Sequence, residues 1–426
     1  MSFTSWGGLP EQPQIKKTIS WRDQLPGVFG DAGLVVGMGR SYGDVPLSIN
    51  GIVASARGLD RLLGFDSSTG LLHCEAGVSL GEILAFALPR GWSLPVVPGT
   101  QFCTVGGATA NDVHGKNHHA RGTFGRHVKS LLLQRSSGEQ LHCSSQANVD
   151  WFSATIGGLG LTGVILELEI QLSRVDGPWL DTETIKFGEL DEFFSLSEES
   201  DSSHEYNVAW IDCLSRKSRG HFTRANHSAA ADPVSAHGTL FSVPFAPPVS
   251  PVNRFTLKAF NSLYYHRQQV SRRSGRESLV AWNFPLDRLN QWNRLYGKRG
   301  FRQYQCVVPE PAIKDLLACI RQSGDGSFLA VLKMFGDLAS PGLLSFPRPG
   351  TTLALDFPWR GADTLALFKR LDQIVAAANG AIYPAKDAHM SGEDFRRAYP
   401  AWEQLEQHRD PVLKSQFWQR VTGESG

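Results

Sequence analysis

The chain has 426 residues, 41% hydrophobic and 19% charged, an ordinary globular composition whose length favours two domains over a single core. A formal net charge of +1 gives no global field to draw in nucleic acid, so none is expected as a partner and any anionic ligand has to be held by local groups. Six scattered cysteines without C-x-x-C spacing read as reduced, mostly buried thiols, and neither a signal peptide nor an apolar run of membrane-spanning length is visible.

In chain order, Leu34-Val35-Val36 leads into the turn Gly37-Met38-Gly39-Arg40-Ser41-Tyr42-Gly43-Asp44, and strands are predicted at 52–55 and 71–75. From Ser79, Leu80, Ile83, Leu84, Ala87 and Leu88 fall at helical spacing, with Gly91 as a stop. A second glycine-rich stretch runs Val105-Gly106-Gly107-Ala108-Thr109-Ala110-Asn111-Asp112-Val113-His114-Gly115-Lys116-Asn117-His118-His119. Such turns expose successive backbone N–H groups that cradle an anion such as a pyrophosphate, and a pair of them suggests a long, folded cofactor. Strands at 130–134 and 140–143 flank Ser136-Ser137-Gly138, a helix-like segment covers 150–155, and an alternating strand covers 164–170.

Between those last two, Gly158-Leu159-Gly160-Leu161-Thr162-Gly163 matches G-x-G-x-x-G, but a dinucleotide fingerprint needs a helix after it and here a period-2 strand follows, which rejects a Rossmann reading. Asp176-Gly177-Pro178 marks a domain boundary. Beyond it the chain is rich in aromatics, with strands predicted at 206–212, 303–308 and 352–357 and an Ala/Ser/Pro-rich loop across 225–253. Phe255, Leu257, Phe260, Leu263, Tyr264 and Tyr265 are followed by Arg267, Arg272, Arg273 and Arg276. That pattern suits either a surface for anionic lipid or a lid over a lipid phosphate, and equally a core helix with a solvated basic end. In the final segment, Ser391 with Asp394 signals a helix start, broken near Pro400.

Asp112, His114, His118 and His119 raise a metal site, but Gly115 disfavours a helix presenting them on one face and no second ligand cluster occurs, so no metal is expected. The 37–44 turn lacks the Gly-Lys-Ser/Thr end of a P-loop, leaving Arg40 and Ser41 as support for a backbone anion nest. Lys386, between Ala385 and Asp387, can serve as a base if burial lowers its pKa, as a fixed cation if it stays protonated, or as one half of a surface ion pair.

Taken together, the 37–44 turn, Glu75-Ala76-Gly77-Val78, Pro98-Gly99-Thr100, Val105-Gly106-Gly107, the 114–119 motif and the 157–163 turn resemble the FAD-binding domain of the vanillyl-alcohol-oxidase type flavoproteins. Trp292-Asn293-Arg294, Gly300-Phe301-Arg302-Gln303-Tyr304-Gln305, Leu344-Ser345-Phe346-Pro347, Leu355-Asp356-Phe357-Pro358 and Ala385-Lys386-Asp387 narrow the resemblance to the decaprenylphosphoryl-β-D-ribose 2′-oxidase-like branch. The resemblance implies an α+β, two-domain fold: FAD-binding parts at 1–178 and 381–426, and an inserted substrate domain at 179–380 built on an antiparallel sheet. It implies a diphosphate on Gly37, Gly39, Arg40, Ser41, Tyr42 and Gly43 and on Thr104, Val105, Gly106 and Gly107. Gly99, Asn111, Asp112, Val113, His114, Ile165 and Tyr383 complete the implied cofactor contacts.

Tyr42, His114, Lys116, Tyr296, Ala354 and Asp356 are the implied substrate pocket, with Lys386, Gln305 and Tyr304 as catalytic residues. Arg40 stands where many related oxidases carry a flavin-linking histidine, so the FAD is expected to be non-covalent, and Ala354 stands where other members have cysteine. The implied reaction oxidises the ribose 2-hydroxyl of a polyprenyl-phosphoryl-β-D-ribose to the 2-keto sugar, the first half of epimerisation to an arabinofuranose donor, with FAD as hydride acceptor. An NADH-dependent short-chain reductase and peripheral membrane contact are the implied partners, and the expected location is the cytoplasm or the periphery of the inner membrane, the periplasmic side being left open. The alternatives are a soluble alditol or sugar-lactone oxidase and, more remotely, a metal-dependent hydrolase or a non-redox sugar-phosphate binder.

Overall fold

A computed structural model describes the chain except for residues 11, 32, 231, 233–240, 246, 248–249 and 424–426. Its first part holds two sheets. Val35–Val36 and Gln14–Thr18 each pair in parallel with Ile52–Ser55, and Ser2–Phe3 adds an antiparallel edge. A five-stranded antiparallel sheet follows in the order Leu62–Asp66, Leu71–Glu75, Val164–Gln171, Val128–Gln134, Gln140–Ser144. Against it packs the helix Leu80–Ala87, begun by a Ser79/Glu82 capping box and burying Leu80, Ile83, Leu84 and Ala87, the spacing of a single apolar face.

An eight-stranded sheet dominates the rest, ordered Arg272–Ser278, Trp179–Phe187, Gly220–His227, Tyr206–Ile211, Ala330–Phe335, Gly350–Pro358, Phe301–Val308, Ala381–Ile382. Every pairing in it is antiparallel. The helices Glu310–Ser323 and Ala362–Ala377 bury Leu316, Leu317, Ile320, Leu367, Phe368 and Leu371 in the same core as strand residues Cys306, Leu353, Leu355 and Phe357. Each such side chain removed from water is worth roughly 1.5–3 kcal/mol, so this layer carries much of the stability. The architecture is α+β with an antiparallel sheet in the aromatic-rich middle of the chain, in line with the expected fold class.

The basic cluster departs from expectation: Arg272, Arg273 and Arg276 lie on the exposed edge strand of the large sheet, a segment without the β-branched pattern that announces a strand. Charged residues on an edge discourage pairing with another chain. The loop expected across 225–253 begins only at Ser228, because Gly220–His227 is a strand, and much of the remainder lies outside the described residues.

The end of the chain returns to the beginning. After Ala381–Ile382 come a 3-10 turn, Pro384–Lys386, and the helices Gly392–Ala398, Trp402–His408 and Gln416–Thr422. Ser391 caps the first of these through the Asp394 N–H, and that helix stops at Ala398, ahead of Pro400. The Tyr42 N–H donates to the Ala385 carbonyl at 2.8 Å, and the Gln416 N–H to the Leu47 carbonyl at 2.7 Å. Arg420 donates to both Asp44 oxygens at 2.8 and 3.0 Å and to Asp387 Oδ2 at 2.8 Å. Removing one partner of a buried ion cluster leaves uncompensated charge, at about 3–5 kcal/mol. Arg420→Met is therefore expected to lower the melting temperature by several degrees while leaving far-ultraviolet circular dichroism intact; an unchanged melting curve would show that the cluster adds nothing.

Candidate active site

The two glycine-rich stretches touch. A Cβ on Gly37 would lie 2.2 Å from Thr104 Oγ1, and Gly39 sits at φ +64°, a left-handed position open to glycine. Thr104 caps the short helix Val105–Ala110 by accepting from the Gly107 N–H at 3.1 Å. Asn111 Nδ2 donates to the Gly107 carbonyl at 2.9 Å, while its Oδ1 is buried without a partner. On the other side, a Cβ on Gly43 would collide with the Asp387 carbonyl oxygen at 1.5 Å, so this glycine is what lets the C-terminal segment close over the turn.

These elements enclose a cavity of about 540 Å³. Gly37, Gly39, Arg40, Ser41 and Tyr42 line one end, with Gly99, Thr104, Gly107, Asn111 and Val113 along the wall. His114, Gln305, Ala354, Tyr383 and Lys386 line the part facing the large sheet, and Leu159 and Gly160 of the rejected G-x-G-x-x-G turn also reach it. Gln303 and Lys333, which sequence reading missed, stand in the same wall.

Burial sets the electrostatics. Lys386 Nζ lies 3.7 Å from the Tyr42 ring centre, and burial pulls its pKa down to about 8 against the opposing field of Asp356. Lys333 is lowered to about 7 by burial and then by the neighbouring charges of Lys116 and Lys386. His114 is held well below its usual range by burial and by Lys333, so its imidazole is neutral. Its Nε2 lies 3.1 Å from Gln305 Nε2 and its Nδ1 3.2 Å from Lys333 Nζ. The Gln305 amide nitrogen can only donate, so the ring accepts at Nε2 and carries its one proton on Nδ1, where it can donate to Lys333 only when that amine is unprotonated. Asp356 accepts from Gln303 Nε2 at 2.6 Å, its Oδ2 has no partner, and burial raises its pKa to about 7.

Tyr304 requires a correction. Side chains alternate along a strand, so Gln303 and Gln305 face the cavity and Tyr304 faces away. Its hydroxyl donates to Asp372 Oδ1 of the helix Ala362–Ala377 at 2.9 Å. Behind it, His389 bridges Asp372 and Asp387 at 3.2 and 2.9 Å; burial alone would lower its pKa, but the two carboxylates outweigh it and raise it to about 10.

Other expected contacts also fall outside the cavity wall. Lys116 Nζ donates to the Trp282 carbonyl and lies 4.2 Å from that ring, and Tyr296 stacks on Phe301 in a small apolar cluster. Gly106 packs against Ala76, Val105 and Ile165 belong to the core, and Asp112 accepts from the Gly125 N–H at 2.7 Å and from the hydroxyls of Ser340 and Ser345. Asp356 meets the cavity only through Gln303 and the field it exerts on Lys386. The remaining histidines diverge: His118 packs against Phe335, and His119 Nε2 meets the His204 carbonyl at 2.9 Å.

Residues 29–144 match the model of the FAD binding domain family. Over 403 residues the chain is 36% identical to decaprenylphosphoryl-beta-D-ribose oxidase of Mycolicibacterium smegmatis, covering 90% of this chain and 87% of that protein. The chain belongs to this oxidase family. It is an FAD-dependent oxidoreductase. A Streptomyces coelicolor protein encoded in the mprA 5′ region is 32% identical over 357 residues, 79% of this chain and 96% of that protein. L-gulonolactone oxidase of Scyliorhinus torazame is 29% identical over 139 residues, 32% of this chain and 31% of that protein.

The cavity fits the flavin dinucleotide. The glycine turn presents backbone rather than side chains, Asn111 Oδ1 waits unpaired at the wall, and Val113, Leu159 and Tyr383 offer an apolar face. Tyr304→Phe is expected to bind FAD and reduce it at the wild-type rate while losing about 1–3 kcal/mol of stability with its buried bond to Asp372. A large fall in the rate of flavin reduction would return Tyr304 to the catalytic set.

Proposed function

We propose that the protein oxidises the ribose 2-hydroxyl of a polyprenyl-phosphoryl-β-D-ribose to the 2-keto sugar, the first half of epimerisation to an arabinofuranose donor. Removing the carbinol hydrogens as a hydride and a proton needs an acceptor for each. FAD, when bound, supplies the two-electron acceptor. The proton goes to the chain, and Lys386 is the group placed to take it: a buried amine whose pKa of about 8 lies near working pH, set beside the turn that holds the cofactor. That observation carries the reading. Gln305, tethered to His114 and to Thr352 Oγ1 at 3.2 Å, orients the sugar, and the small Ala354 leaves room beside it.

Arg40 supports non-covalent flavin. Its guanidinium lies 4.3 Å from the Trp6 ring centre and 5.3 Å from that of Phe102, and Nε donates to the Phe102 carbonyl at 3.0 Å. Arginine cannot form a histidyl link, so acid precipitation is expected to release all the flavin into the supernatant; yellow colour retained in the pellet would refute this. A keto-sugar product calls for a reductive step, supporting an NADH-dependent short-chain reductase as partner. A lipid-borne substrate supports work at the periphery of a membrane, and among the described residues no helix is long and apolar enough to cross one.

The decisive test is anaerobic titration: polyprenyl-phosphoryl-ribose bleaches the flavin and free alditols or sugar lactones do not, whereas the reverse preference would favour a soluble sugar oxidase. Lys386→Met is expected to keep its FAD and reduce it on the order of 10²–10⁴-fold more slowly. Because a base must be deprotonated to act, the wild-type reduction rate rises with pH and levels off above about 8. A rate that falls across that range would make Lys386 a cationic stabiliser instead.

A further inference from the structure

The helix Arg254–His266 has two unlike faces. Leu257 is buried with Val252, Trp292, Tyr296 and Phe301, and Trp292 itself lines the cavity. On the outer side Phe255 and Leu263 are 83% and 74% exposed, Phe260 is 45% exposed, and Val270 in the turn that follows is 56% exposed. Residues 255, 259 and 263 are four apart, so Phe255, Ala259 and Leu263 form one stripe along the helix. A cluster of large apolar side chains left in water on one helix marks a contact surface.

Charge identifies what that surface fits. No aspartate or glutamate occurs between Asp232 and Glu277. Arg272 and Arg276 are engaged by Glu183 and Asp181 at 3.7 and 3.3 Å. Arg254, Lys258, Arg267 and Arg273 have no carboxylate partner among the described residues. An apolar stripe flanked by cations that no carboxylate neutralises is the arrangement that lies in the headgroup layer of an anionic bilayer, apolar side chains inserted and cations at the phosphates. The chain as a whole is near neutral, so this attraction is local.

We propose that the outer face of the helix Arg254–His266, with the turn after it, docks the protein on an anionic lipid surface and so sets the Trp292 wall of the cavity next to the lipid that carries the substrate. The inference rests on the polyprenyl-linked substrate proposed above. The test is co-flotation of the FAD-loaded protein with vesicles of phosphatidylglycerol and phosphatidylcholine or of phosphatidylcholine alone. Wild type is expected to float with the former, to be released by high salt, and to stay behind with the latter. Phe255→Ser with Leu263→Ser, and separately Lys258→Glu with Arg273→Glu, are expected to lower partitioning on the order of tenfold or more. Both variants are expected to keep the wild-type rate of flavin reduction by a short-chain, water-soluble phosphoribosyl substrate.

Equal flotation of variants and wild type, binding to neither vesicle, or a dimer that the apolar substitutions disperse would each overturn the docking proposal. Wild type that floats yet is not reduced by any phosphoribosyl substrate would instead count against the substrate assignment and leave the surface standing.

Discussion

A single close approach holds the cavity together: the Asp387 carbonyl lies against the Cα of Gly43, where no side chain would fit. Tyr42 and Lys386 flank that contact in sequence, so the approach brings a ring of the first glycine turn under the amine of the C-terminal turn. The hydrogen bond from the Tyr42 N–H to the Ala385 carbonyl and the ion cluster of Asp44, Arg420 and Asp387 clamp it from both sides. On the far side of Asp387, His389 and Asp372 tie the same turn to the helix beneath the large sheet. An amine on a short 3-10 turn would be loosely held by itself, and this network supplies the support that precise positioning needs.

The cavity also concentrates titratable groups in a low dielectric. Lys386, Lys333 and Asp356 are all drawn towards neutral pH, while His114 is kept neutral between Gln305 and Lys333. Groups whose environments push their pKa values together can exchange a proton at little cost. Lys386 is therefore not electrostatically isolated: the field of Asp356 opposes its burial, and Lys333 meets the same His114 that is bonded to Gln305.

Much of this was legible in the residues. The glycine stretches at 37–44 and 104–107 announced a paired backbone cradle because glycine is what close approach demands. The rejection of a Rossmann fold followed from a strand where a helix was needed, and Val164–Gln171 is that strand. Strand alternation was equally available and would have placed Gln303 with Gln305 and turned Tyr304 inward, but motif matching carried Tyr304 forward with Gln305 and left Gln303 out. Lys333 had a signal too, a lone lysine within the apolar Ala330-Val331-Leu332-Lys333-Met334-Phe335. What could not be read was the pairing of residues far apart in the chain: Arg420 with Asp44, or Lys116 turned towards the Trp282 carbonyl instead of the cavity. Such partners are chosen by tertiary packing, for which local pattern holds no code.

The bond between Arg420 and Asp44 spans 376 positions, so the first glycine turn and its clamp come from stretches of chain far apart in sequence. Loop closure over such a distance is slow to gain contacts that reward it. A chain holding every glycine of the cradle still lacks Lys386 and the clamp around it until residues 386–420 have joined it. The cradle is therefore clamped only after segments on both sides of the large sheet in sequence have met.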